Sequence, residues 1–126
     1  MKNWIVKTSA LFAVLALLAV GTRAYAAGAQ DFTLHNETGL EINEVYVSAH
    51  NVNDWEEDVL GDDTLSTGKE VEITFSPKEV AESWDLKVVT DTGKSYIWRK
   101  LKLMDITDVT IYLKDGKAFA RSKKVE

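Results

Sequence analysis

Seven short stretches of this chain alternate apolar and polar residues, and a two-residue period of that kind leaves few folds open. A strand turns successive side chains to opposite faces, so each stretch offers one apolar face to a core and one polar face to water. The series begins with Asp31 to Asn36, where Phe32 and Leu34 share a face, and continues with Leu40 to Ser48. In the second stretch Leu40 and Ile42 have the opposite parity to Val45 and Val47, which predicts a β-bulge around Asn43 and Glu44. Val71, Ile73 and Phe75 then alternate with Glu70, Glu72 and Thr74, and Trp84, Leu86 and Val88 with Asp85 and Lys87. Asp91-Thr92-Gly93 turns the chain into Ser95 to Leu101. After Val109, Ile111 and Leu113, Asp115-Gly116 turns it into Lys117 to Ser122. No stretch is long and helically periodic enough for a βαβ crossover. The pattern predicts an all-β fold: a single antiparallel β-sandwich of about seven strands, immunoglobulin-like or similar, with one or two short helical turns. Those turns are expected at Asp54 to Gly61, with Asp54 as N-cap, Glu57 three residues on and Gly61 as the left-handed stop, and at Ser76-Pro77-Lys78-Glu79.

The alternation starts only after residue 30, and the preceding residues have another character. Met1 to Lys7 carries two lysines and no acid, residues 8 to 22 carry no charge, and Ala24-Tyr25-Ala26 is a small-x-small triplet. A basic start, an apolar centre from Ala10 to Val20 and such a triplet predict a signal peptide over 1–26, cleaved after Ala26, and a single domain over 27–126. The apolar run is shorter than the roughly 20 residues that cross a bilayer. The expected location is therefore secreted or periplasmic, with no membrane anchor after cleavage. With no cysteine in the chain, an exported domain has no disulfide, and its core alone must hold it together. Thiolate-bound metal and a cysteine nucleophile are excluded on the same ground.

Cleavage would remove three of the 15 basic residues and none of the 20 acids, leaving twelve against twenty, a net charge of −8. Such a chain lacks the clustered Lys and Arg that neutralise phosphates, so no nucleic-acid partner is expected. The imbalance is local. From Ala27 to Gly68 there is no Lys or Arg, and six acids fall between positions 54 and 63: Asp54, Glu56, Glu57, Asp58, Asp62 and Asp63. Carboxylates so close repel one another unless water, a cation or a basic partner screens them.

Three readings account for that segment. It is a solvated face with helix-capping acids; or Asp58, Asp62 and Asp63 are oxygen donors for calcium; or Trp55 is an aromatic anchor within a rim of Asp54, Glu57, Asp58, Asp62 and Asp63 that docks a protein. Catalytic groups are sparse. His35 has the opposite parity to Phe32 and Leu34 and is expected to face solvent, while His50 falls in a loop. No nucleophile elbow, phosphate-cradling glycine loop or cofactor motif is present, so no catalytic residue, metal ligand set or cofactor is assigned. The expected function is non-catalytic binding of a protein partner or a cation by the acidic Trp55 loop. A calcium-binding module is the alternative and a small periplasmic enzyme a further one. Arg99, Lys100 and Lys102, with Arg121, Lys123 and Lys124, read as protection of edge strands in a monomer. Contact of that basic strand with the acidic loop of a second molecule is the other reading.

Asn36-x-Thr38-Gly39-x-x-Ile42, Tyr46-Val47-Ser48, Asp54-Trp55-x-x-Asp58-x-Leu60-Gly61-x-Asp63-x-Leu65-x-x-Gly68 and Trp84-Asp85-Leu86 together resemble a family of small secreted bacterial proteins of unsettled function. The resemblance covers roughly residues 31 to 113, is most specific in the Asp-Trp-x-x-Asp-x-Leu-Gly segment, and implies a signal peptide followed by one β domain. Some members carry an argininosuccinate lyase label. That label does not transfer: such lyases resemble long helical tetramers with a glycine- and serine-rich catalytic loop, and this chain has no counterpart to either.

Overall fold

The structure, a computed structural model, describes residues 11–15, 28–50, 52 and 54–125, so the expected cleavage site after Ala26 lies outside the described residues. Its strands are β1 (Leu11–Leu15), β2 (Phe32–Glu37), β3 (Ile42–Ala49), β4 (Glu70–Phe75), β5 (Trp84–Thr90), β6 (Ser95–Leu101), β7 (Ile106–Lys114) and β8 (Lys117–Lys124). One sheet has the order β1-β4-β2-β7-β8 and the other β3-β5-β6. Their apolar faces meet to form a sandwich. The expected all-β sandwich is therefore the fold, with seven strands between Phe32 and Lys124 among the described residues and an eighth, β1, formed by Leu11–Leu15.

The alternating residues meet in the middle. Phe32 and Leu34, Val71, Ile73 and Phe75, Val109 and Ile111 face Val45, Val47, Trp84, Leu86, Val88 and Trp98, and all of them are buried. Burying each such side chain contributes roughly 1.5–3 kcal/mol, and this supplies the stability a disulfide-free domain needs. The parity switch in β3 appears as a register shift between Ile42 and Glu44 against β5, so both Ile42 and Val45 reach the core. At the β7–β8 hairpin Asp115 and Gly116 both have positive φ, 54° and 76°, as a two-residue turn between twisted strands requires. The Trp98 indole N–H donates to the Phe119 carbonyl at 2.7 Å and ties β6 of one sheet to β8 of the other.

Two features differ from the sequence expectation. β2 lies antiparallel to β4 but parallel to β7, so the larger sheet is mixed. Neither expected turn forms a helix; the one helical turn among the described residues is a 3-10 turn at Leu103–Asp105. Ser76 does cap as expected, its hydroxyl accepting from Lys78 N–H at 3.2 Å and its carbonyl from Glu79 N–H at 2.9 Å, but the chain leaves after that one turn. Asp54 to Gly61 has a different task, set by the edge of β3.

Candidate functional site

β3 is an edge strand of its sheet, and unpaired backbone groups along a buried edge must find partners. The acidic segment provides them. Asp58 is 2% exposed, and one of its oxygens, Oδ1, accepts from the backbone N–H of Val45 at 2.8 Å and of Leu60 at 2.9 Å. Val59 N–H returns a bond to the Val45 carbonyl at 2.8 Å, and Ile42 and Leu65 exchange both backbone bonds, at 3.0 and 2.8 Å. Gly61 takes the left-handed conformation, φ 62°, that sends the chain back toward Leu65. Val59, Leu60 and Leu65 enter the core. Three buried side chains, at roughly 1.5–3 kcal/mol each, outweigh the repulsion among neighbouring carboxylates in water, about 1 kcal/mol for a pair 4 Å apart. The segment is thus a clamp on the β3 edge.

Asn36 completes the clamp. Its Nδ2 donates to the carbonyls of Leu40 and Leu65, both at 2.9 Å, and its Oδ1 accepts from Thr38 N–H at 2.9 Å. Gly68 N–H reaches the Asn36 carbonyl at 2.6 Å. Asn36, Thr38, Ile42, Asp58, Leu60, Gly61, Leu65 and Gly68, all part of the motif quoted above, are therefore joined by hydrogen bonds and packing.

The remaining residues of the segment diverge. Asp54, Glu57 and Asp62 are exposed, Asp63 is partly exposed, and Asp58 points inward. Among the described residues no group of three His, Asp or Glu side chains is placed to hold a metal ion, and the alternative calcium reading of Asp58, Asp62 and Asp63 has one of its three carboxylates turned into the core. Trp55 is half-buried against the outer face of the smaller sheet. There the Lys87 ammonium lies between two rings, 5.0 Å from the Tyr46 centroid and 5.2 Å from that of Trp55. Burial, and then the Glu44 carboxylate that accepts its hydroxyl, push the Tyr46 phenol well above its ordinary range.

Where β3 leaves the sheet, Val47, Ser48, Ala49, Val52 and Trp84 line a concavity of about 110 Å³, and Asp54, Glu56 and Glu79 also line it. Glu56 is exposed, but partial desolvation where it meets the concavity, then the charges of Glu79, Asp54 and Glu57, raise its carboxyl above the usual pKa. Gln30 braces the wall: its Oε1 accepts from the Trp84 indole N–H at 2.9 Å and from Ala81 N–H at 3.2 Å, and its Nε2 donates to the Glu79 carbonyl. The hydroxyl of Ser48 donates to the Ala49 carbonyl and accepts from Asp54 N–H.

Neither a family model nor a curated protein sequence matches the chain. One solved structure is similar. It is the NMR structure of a protein from Eubacterium rectale, with a TM-score of 0.53 and 16% identity over 76% of this chain and 89% of that one. The likeness is one of fold.

The smaller sheet also holds a buried ionic network that local sequence patterns did not reveal. The Asp85 side chain is 1% exposed; its Oδ1 lies 2.9 Å from His50 Nδ1 and accepts from Lys100 N–H at 3.0 Å, and its Oδ2 accepts from the Arg99 guanidinium at 2.8 Å. Burial alone would raise the carboxyl. The Lys100 backbone bond, His50 and Arg99 overcome it and hold Asp85 below the ordinary range. Lys100 sits at φ 62°, in the left-handed region, beside the register shift between Trp84 and Leu86. His50 is thus committed to a buried carboxylate. His35 is partly exposed and not simply solvated, its Nε2 2.7 Å from Asp108 Oδ2 and its Nδ1 3.3 Å from Glu70 Oε1.

Proposed function

We propose that this chain is an exported, non-catalytic binding protein whose recognition site is the acidic concavity beside Trp84, and that the site takes a cationic side chain of a protein partner. The observation that carries the reading is the grouping of Asp54, Glu56 and Glu79 around one depression whose wall is apolar and aromatic. A Lys or Arg side chain has that composition in reverse, an apolar stem ending in a positive head. The raised pKa of Glu56 supports it further, because an arriving cation would relieve the crowding of like charge. Trp55 and the exposed Asp54 and Glu57 extend the same negative face. The Ser48 hydroxyl, spent on the Ala49 carbonyl, favours binding over nucleophilic chemistry.

An arginine-rich peptide titrated into the protein is expected to change tryptophan fluorescence and to bind several-fold more weakly as salt rises. Glu56→Gln is expected to weaken binding about tenfold, equivalent to roughly 1.4 kcal/mol, without lowering the melting temperature, since it removes a carboxylate whose charge is disfavoured in the fold. Equal affinity of the variant would end this reading of the pocket.

Export rests on the leader. On expression in a bacterium, the intact mass of the accumulated protein is expected to match a chain beginning at Ala27, recovered outside the cytoplasm. An uncut chain in the cytoplasm would refute it.

A further inference from the structure

Among the described residues the larger sheet ends on β1, whose residues Leu11 to Leu15 lie parallel to β4 in register with Val71 to Phe75. The outer edge of β4 is therefore a place that accepts a parallel strand. If the leader is cut away after Ala26, β1 goes with it and the backbone of that edge is left without its neighbour.

The other end of the same sheet is β8, which the smaller sheet touches through the Trp98 indole bond to the Phe119 carbonyl, and two of its properties match the vacated edge. The first is direction. β4 is antiparallel to β2, β2 parallel to β7, and β7 antiparallel to β8, so β8 runs the same way as β4. A second copy shifted along the sheet without rotation brings its β8 beside β4 in the sense that β1 occupies. The second is charge. Exposed Glu70 and Glu72 stand on β4. On β8 the register of Asp108 with Lys123, Thr110 with Arg121 and Lys114 with Lys117 sets three exposed bases on one face, Arg121 also paired with Glu37 at 3.0 Å. Pairing β4 with β4, or β8 with β8, would instead oppose like charges. The smaller sheet offers no comparable route at β3, whose edge is clamped by Asp58, Val59 and Leu65.

We infer that removal of the leader opens the β4 edge to β8 of a second copy, so that copies add head to tail in one continuous sheet. The contact is heterologous and does not close on itself, so it builds chains of molecules. It rests on the export reading only for the loss of β1, and it uses a surface distinct from the acidic concavity.

The test is sedimentation velocity on a chain made directly from Gly28 onward, beside the full chain, in about 0.01 M and about 1 M salt, where charges are screened over ~30 and ~3 Å. Making the short chain directly separates a failure to assemble from a failure to be cleaved. In low salt it is expected to form species larger than a dimer that grow with concentration, and in high salt to be monomeric; the full chain shows no such growth. Glu72→Lys and Lys123→Glu are each expected to be monomeric alone. Mixed, they should assemble, since each then offers the edge the other lacks. Glu56→Gln should assemble like the parent. Should the short chain not fold, the full chain carrying Ala13→Pro and Val14→Pro, one of which removes an N–H facing β4 because successive N–H groups alternate sides, is expected to assemble in its place. A folded chain that stays monomeric in low salt, a dimer that grows no further, or variants that assemble alone would each overturn the inference.

Discussion

Asp58→Ala is expected to lower the melting temperature by on the order of 15 °C. One oxygen of Asp58 serves the backbone N–H groups of Val45 and Leu60, both in buried surroundings. Leaving a buried donor unsatisfied costs about 1–3 kcal/mol, so the two together lose about 3 kcal/mol. A domain of this size shifts roughly 4–8 °C per kcal/mol. Asp58→Asn keeps an acceptor at the same position and is expected to retain much of that stability. Thermal unfolding followed by circular dichroism separates the two variants. If Asp58→Ala melted with the parent, the segment would be a loose loop, and the clamp on β3 would be wrong.

Asp85→Ala is expected to cost about 2–3 kcal/mol. Removing one member of a buried ion pair can cost 3–5 kcal/mol, but Arg99 is 52% exposed and regains water when its partner goes, so the lower figure applies. Lys100 N–H also gives up its acceptor, at a position whose backbone stays left-handed. The carboxyl also fixes a pH dependence. Its pKa is lower folded than unfolded, so its contribution is complete above the unfolded carboxylate value of about 3.9 and is lost as pH falls through the lower, folded value. The gap in melting temperature between parent and Asp85→Asn is therefore expected to close as pH is taken from about 5 to about 2. A gap that widened in acid would mean that the network does not hold the charged form. Asp108, held low by its hydrogen bonds from His35 and Thr107, acts in the same direction in the other sheet.

What the sequence determined by itself is whatever a strand decides over a few residues. Val71, Ile73 and Phe75 place their own strand, and Asp115-Gly116 its own turn, because side-chain parity and positive φ are properties of neighbouring residues. Even the bulge at Asn43 and Glu44 was legible, as a break in parity. The acidic segment was not. Six carboxylates in ten positions read as solvated or ion-binding, and Asp54 as a helix cap, because local charge density says nothing of what the segment lies against. The edge of β3 decided it: unpaired backbone at Ile42 and Val45 drew Asp58 and Leu65 inward, and the core took Val59 and Leu60. Glu79 joins Asp54 and Glu56 only because the turn after β4 folds back beside the end of β3. Asp85 reads along β5 as an outward acid between Trp84 and Leu86, and becomes a buried centre only when His50, just past the end of β3, and Arg99 of β6 close over it. Periodicity acts along the chain and can be read there. Desolvation and hydrogen-bond satisfaction act across strands, between residues far apart in sequence, and only the packed sheets settle them.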